Sequence, residues 1–269
     1  MIYDIVSSNI KESLIIHCGL LNDGQILLRD RYKWNIFSIK DFAQIELNKY
    51  SIIVIDEVQR IRPSQFRLIV KAVQESKLTC IFSYDRIQCL RRQEIRNDID
   101  GKIQKLVANN YTLSKKIRTN KGVANFIRGL LNAKFKSKDI DRENIDVKFF
   151  QKAQDVRKYL DYLSHIDWKI INYTPSKKQT LNYDKYFIPN TDNAHRVIGQ
   201  EFDNVVVVID EHFTYTGEGA LATAGYKSEP YYSQGKMFFQ MITRVRRKLK
   251  IVVYRNPEVL NRCVYLLKE

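Results

Sequence analysis

Two carboxylates stand side by side at Asp56-Glu57, directly behind Ile52-Ile53-Val54-Ile55. Four branched apolar residues in a row make a strand covered on both faces. A parallel strand presents the residues at its carboxyl end to a ligand. The pattern recurs at Thr79-Cys80-Ile81-Phe82-Ser83-Tyr84-Asp85, with Gln88 three residues past the acid. Gly199 and Glu201 stand just ahead of another apolar run, Val205 to Ile209, and the cations Arg118 and Arg244 sit at helix boundaries. Phosphoryl transfer is mostly positioning and charge stabilisation, so it needs a metal carboxylate, a group to orient water, and cations. Arginine suits the last role because its planar fork stays charged and grips oxyanions at two points. Plainer readings stand beside these. Asp56-Glu57 also reads as a strand running into a charged turn, Asp85 and Gln88 as turn caps, and Arg118 and Arg244 as solvent-facing cations at helix ends. Arg246, Arg247, Lys248 and Lys250 read as a solvated basic face.

The elements that must carry these residues alternate along the chain. Leu14 to Gly19 is a short buried strand with a glycine stop, and Gln25 to Leu28 and Trp34 to Phe37 are short, turn-bounded segments. Ile39 to Leu47 reads as a short helix. Pro63 opens a helix whose Phe66, Ile69, Val70 and Val73 share one face. Tyr111 to Ser114 is a short strand, followed by Arg118 and a helix through Leu131. The polar stretch 136–144 has no apolar periodicity and reads as a linker. A second alternation follows: strands at 147–150, 168–173 and 205–210, a helix face at Val156, Leu160 and Leu163, a helix from Met237 to Lys248, a strand at 251–254 and a last helix behind Pro257. Strands alternating with helices on both sides of a linker give two α/β layers with parallel sheets.

Composition narrows the partners. The 269 residues carry 45 basic against 30 acidic side chains, a net charge of +15, which points to a polyanion, most simply nucleic acid. The four cysteines show no CxxC pair or metal-ligand spacing, three of them lie among apolar residues, and the four histidines are scattered. No signal peptide opens the chain and no apolar run approaches the ~20 residues that span a bilayer. A cytoplasmic location is the expectation.

Taken in order, the strand ends resemble the motif set of superfamily-one helicases, and most closely the helicase-like ATPase domain of the Schlafen group. Asp56-Glu57-Val58-Gln59-Arg60 resembles motif II, the Walker B segment. Ser83 to Gln88 is similar to motif III, Leu113 to Arg118 to motif IV, His195 to Asp203 to motif V, and Ile242 to Arg246 to motif VI. The resemblance implies two RecA-like domains, about 1–135 and 145–269, with a nucleotide cleft between them. It implies that Asp56 holds Mg2+, Glu57 acts as base, Gln88 senses the γ-phosphate beside Asp85, Arg118 and Arg244 clamp it, and Gly199 and Glu201 lie by the nucleotide. The cofactors would be ATP and Mg2+, and the partner DNA or RNA, single-stranded in the helicase manner.

One motif of that set is missing. No GxxxxGK[ST] loop occurs in the sequence, although its backbone N–H groups and lysine are the main grip on the phosphates. The nearest imitations, Gly219 to Ser228 and Gly235-Lys236, have the wrong interval or lack the flanking pattern. Ile198 also stands where a polar residue usually precedes the motif V glycine. The expectation is therefore a first RecA-like domain without its P-loop strand, in a chain cut short upstream or mis-started, in a domain that has decayed, or in one completed by another polypeptide. The function expected is a nucleic-acid-dependent ATPase or helicase-like module. The alternative is a catalytically inactive module that binds nucleic acid or a partner protein.

Overall fold

The computed structural model describes residues 2–76, 78–112, 119–136, 139–177 and 179–268. They form two compact units, 1–112 and 113–269.

In the first unit, strands β1 (Ser13–His17), β2 (Ile36–Ser38), β3 (Ile52–Asp56) and β4 (Thr79–Phe82) make one sheet in the order β2-β1-β3-β4. All its pairings are parallel, and the register places His17 opposite Asp56. Helix α1 is Ile2–Ser7, α2 is Asp23–Asp30, α3 is Pro63–Ser76, α4 is Arg92–Asn97 and α5 is Ile99–Gln104. Ile53, Val54 and Ile55 of β3 are fully buried, as a strand covered on both faces must be. Phe66 and Ile69 of α3 pack into the same core as Ile53 and Ile55. The segment 25–28 is helical because Asn22 accepts from the Gln25 backbone while the Gln25 side chain accepts from Asn22, a reciprocal N-terminal cap. Ile39–Gln44 forms a 3-10 turn rather than an α-helix. Strand β4 ends the sheet: among the described residues its outer side pairs with no strand.

In the second unit, β5 (Ile145–Phe150), β6 (Lys169–Asn172), β7 (Asp192–Asn193), β8 (Phe202–Ile209) and β11 (Val245–Tyr254) form a parallel sheet in the order β5-β11-β8-β6-β7. Strands β9 (Phe213–Tyr215) and β10 (Leu221–Thr223) make a separate antiparallel hairpin. The helices are α6 (Lys121–Leu131), α7 (Ala153–Ser164), α8 (Gln234–Ile242) and α9 (Pro257–Lys268). The helix expected over 237–248 stops at Ile242, and β11 starts at Val245. Val245 and Leu249 are buried with three exposed basic residues between them, and the pairing with β8 shifts register there. Buried residues four apart would also suit a helix face; the pairing with β8 makes this stretch a strand, and the bulge accommodates the exposed residues between them.

Both units are α/β with parallel sheets, as the alternation of strands and helices in the sequence predicts. Helix α6 belongs to the second unit: the Arg262 guanidinium donates to the Gly129 carbonyl, the Tyr215 hydroxyl donates to that of Leu130, and Asn120 N–H donates to Arg246. The stretch 136–144 thus lies inside that unit, and the division falls between Thr112 and Leu113. No described helix is long and apolar enough to cross a membrane.

Candidate functional site

At the carboxyl edge of the first sheet, β3 delivers Asp56 and the chain turns sharply behind it. Glu57 has φ of 57°, in the left-handed region, and leads into a 3-10 turn over Val58–Arg60. That conformation costs a non-glycine residue about 1–2 kcal/mol. Three bonds hold the turn in place. Val58 N–H donates to the Ser83 carbonyl at 3.0 Å, which fastens the end of β3 to the end of β4. Gln59 Nε2 and Arg60 Nε donate to the same oxygen of Glu57, at 2.8 and 3.0 Å.

Asp85 and Gln88 are gathered into this network. The Asp85 N–H donates to Gln59 Oε1 at 3.3 Å, Gln88 Nε2 donates to Asp85 Oδ2 at 2.8 Å, and the Arg60 guanidinium donates to the Gln88 carbonyl at 3.1 Å. Asp56 Oδ2 lies 3.1 Å from His17 Nδ1 at the end of β1, and the Gln25 amide approaches the same nitrogen at 3.2 Å. The side chains of Glu57 and Asp56 are 15% and 17% exposed, whereas those of Arg60 and His17 are 5% and 4%. The acids therefore reach solvent while their cationic or polar partners lie beneath them. Sequence reasoning missed His17, Gln59 and Arg60. Arg60 stands three residues past Glu57, a visible pairing distance, but the alignment of His17 with Asp56 depends on strand order.

A second cluster sits at the amino edge of the other sheet, where β8 and β11 begin side by side. Phe202 N–H donates to the Arg244 carbonyl at 2.8 Å, which brings the Gly199–Glu201 turn against Arg244. The guanidinium donates to the carbonyls of Gln240 at 3.1 Å and Gln200 at 3.3 Å. Gly199 has φ of 74°, which explains the glycine there. Gln240, 1% exposed, has neither amide atom hydrogen-bonded among the described residues. Arg118 and the rest of 113–118 lie outside the described residues.

Among the described residues no three His, Cys, Asp or Glu side chains gather as a metal set. Mg2+ needs fewer, because it keeps waters and takes one or two carboxylates with phosphate oxygens. Asp56 fits as such a ligand. The Gln88 Oε1 is buried and has no hydrogen-bond partner among the described residues. As an acceptor it suits a proton of metal-bound water. The phosphate grip for ATP fits less well. Gly219 lies at the turn of the β9–β10 hairpin and Lys227-Ser228 in the connection beyond it, while Gly235-Lys236 is the first turn of α8. Neither follows a parallel strand as a phosphate loop does.

No protein-family model matches the chain, and no curated protein does. Among solved structures it is similar to a hypothetical ATP-dependent RNA helicase from Sulfolobus tokodaii, at 16% identity and a TM-score of 0.23, over 97% of this chain and 76% of that one.

Proposed function

We propose that this protein is a nucleic-acid-dependent ATPase module of helicase type, related to the Schlafen group, that receives its phosphate-binding loop on a strand from a separate polypeptide. The observation that carries the reading is the acid network at the carboxyl edge of the first sheet: Glu57, Asp85 and Gln88 meet in one hydrogen-bonded cluster through Gln59, and Asp56, the residue before Glu57, faces His17 at the same edge. In this reading Asp56 holds Mg2+, Glu57 orients the attacking water, and Arg244, Gly199 and Glu201 attend the nucleotide. The side of β4 that pairs with no strand among the described residues offers an edge for the incoming strand. Nucleic acid, single-stranded DNA or RNA, is the polyanion that the net charge of +15 would attract.

The test begins with calorimetry of the chain and MgATP, where binding should be weak because the sequence holds no phosphate loop. A peptide carrying a strand and GxxxxGK[ST] is then added, fused or in trans. Hydrolysis should appear, rise with single-stranded nucleic acid, and vanish in Glu57→Gln, whose amide cannot take the water's proton. Micromolar MgATP binding by the chain alone would overturn the reliance on a partner. No hydrolysis from the folded, complemented protein would leave the second reading, an inactive module that binds nucleic acid or a protein. One observation favours that reading: Glu57 is already answered by Arg60 and Gln59, and Asp56 faces His17.

A further inference from the structure

Beyond that site, the second unit buries a carboxyl group for which neither motif reading has a use. Asp210 follows β8 and is 0% exposed. Its Oδ2 accepts from the Tyr186 hydroxyl at 3.0 Å and Gln234 Nε2 at 2.9 Å, and its Oδ1 from the His212 N–H at 3.1 Å. Those three donors are neutral. The nearest titratable cation is the His212 ring, whose Nδ1 lies 3.4 Å from Oδ1, within ion-pair distance but at an angle short of a hydrogen bond. The Tyr226 ring covers the imidazole face to face, with centroids 4.5 Å apart and planes 6° off parallel. The Tyr226 hydroxyl donates to Gln234 Oε1, and Gln234 returns to Asp210. The ring of contacts is closed.

We propose that Asp210, His212, Tyr226 and Gln234 form a proton-controlled latch that pins the 224–233 connection to the end of β8, shut when His212 is protonated and loosened when it is neutral. An imidazolium beneath an aromatic ring gains cation–π attraction and a facing counter-charge. A neutral imidazole loses both and leaves the buried carboxyl with neutral donors alone. The charges around His212 set the balance. Asp210 faces it and Glu211 adjoins it, while Lys185, from the 3-10 turn Asn182–Tyr186, opposes its protonation. Arg255, at the end of β11, lies 4.0 Å from Glu211 and draws off part of that charge. Contact with Asp210 raises the His212 pKa above its ordinary value, against the opposing effect of burial.

The connection is built to move when released. Ala224, Gly225, Lys227, Ser228 and Glu229 are exposed, and Gly225 has φ of 78° with open space around it. Its far end keeps a separate anchor, because Gln179 bonds Ser228, Glu229 and Tyr231. Gln234 also opens α8, and Arg244 follows two residues beyond the other end of that helix.

Nuclear magnetic resonance of the full chain tests this between pH 5.5 and 8.5. The Cε1–H signal of His212 should titrate above the ordinary histidine value, and the amides of 224–229 should follow the same midpoint. Their exchange protection, corrected for intrinsic rates, should fall about tenfold across it. His212→Gln should abolish the pH dependence of those amides. Tyr226→Leu should leave a histidine that titrates without moving the connection, so a variant that fails to fold at one position does not end the test. Amides of 224–229 that stay constant while His212 titrates would overturn the proposal. So would amides that keep the same midpoint in His212→Gln or Tyr226→Leu.

Discussion

Removing the guanidinium of Arg60 would leave two groups unanswered at once, the Glu57 carboxyl and the Gln88 carbonyl. The side chain is 5% exposed, so little water would replace it. Arg60→Ala should cost about 3 kcal/mol, as for other buried pairs broken on one side, in urea unfolding of the full chain. Arg60→Ala together with Glu57→Gln should cost clearly less than the sum of the two, because the partners share one interaction. Additive losses would mean that the two side chains do not depend on each other. A different dependence belongs to His212. Its folded pKa is raised, so its contribution to stability is complete below the unfolded value and is lost as pH rises through the folded one. The second unit should therefore lose stability as pH climbs from about 6.5, and His212→Gln should flatten that slope in thermal unfolding. A wild-type curve that is flat or rising in this window would contradict it.

At the scale of elements, α6 shows geometry overruling propensity. Gly122 is the second residue of the helix, where alanine would be favoured, though by less than the ~1 kcal/mol of a helix interior. A Cβ at that position would sit 2.5 Å from both the backbone nitrogen and the Cβ of Asp141. Backbone cannot step aside as a flexible side chain can, so the overlap decides. Gly122→Ala should lower stability by about 1–3 kcal/mol in thermal unfolding, and a gain would show that 139–144 yields freely. The same packing explains what was legible in the sequence. Strands such as β3 and β8 announced themselves, since runs of branched apolar residues have few other solutions. The α2 helix was missed although Asn22 and Gln25 stand at capping-box spacing, because only its ends carry the signal. The 245–248 stretch was missed because three consecutive cations look helical or solvated until the bulge against β8 is known. The acid cluster was legible residue by residue. Its internal partners were not, since His17 meets Asp56 through strand order rather than sequence distance.

Across the whole molecule the charge is unevenly shared. Residues 113–269 hold 28 basic and 17 acidic side chains, a net +11, against 17 and 13, a net +4, in residues 1–112. Binding to single-stranded DNA or RNA should weaken linearly in log affinity against log salt as counterions are released. Exposed Arg246, Arg247 and Lys248 lie close together, and among the described residues only Asp203 pairs with the two arginines. Replacing all three with glutamine should reduce the magnitude of the salt slope measured by fluorescence anisotropy, by about one unit for each cation that meets a phosphate. An unchanged slope would mean that these three cations meet no phosphate. Equal affinity for duplex and single strand across salt would count against the helicase reading.

The unpaired side of β4 also governs how the protein behaves in a tube. Thr79-Cys80-Ile81-Phe82 carries no lysine, proline or bulge, the usual guards of an exposed edge. Two such edges can pair with each other, and that encounter is second order in protein. Loss of monomer during concentration should therefore rise with the square of concentration and be slowed by a single lysine at Thr79, whose side chain is already exposed.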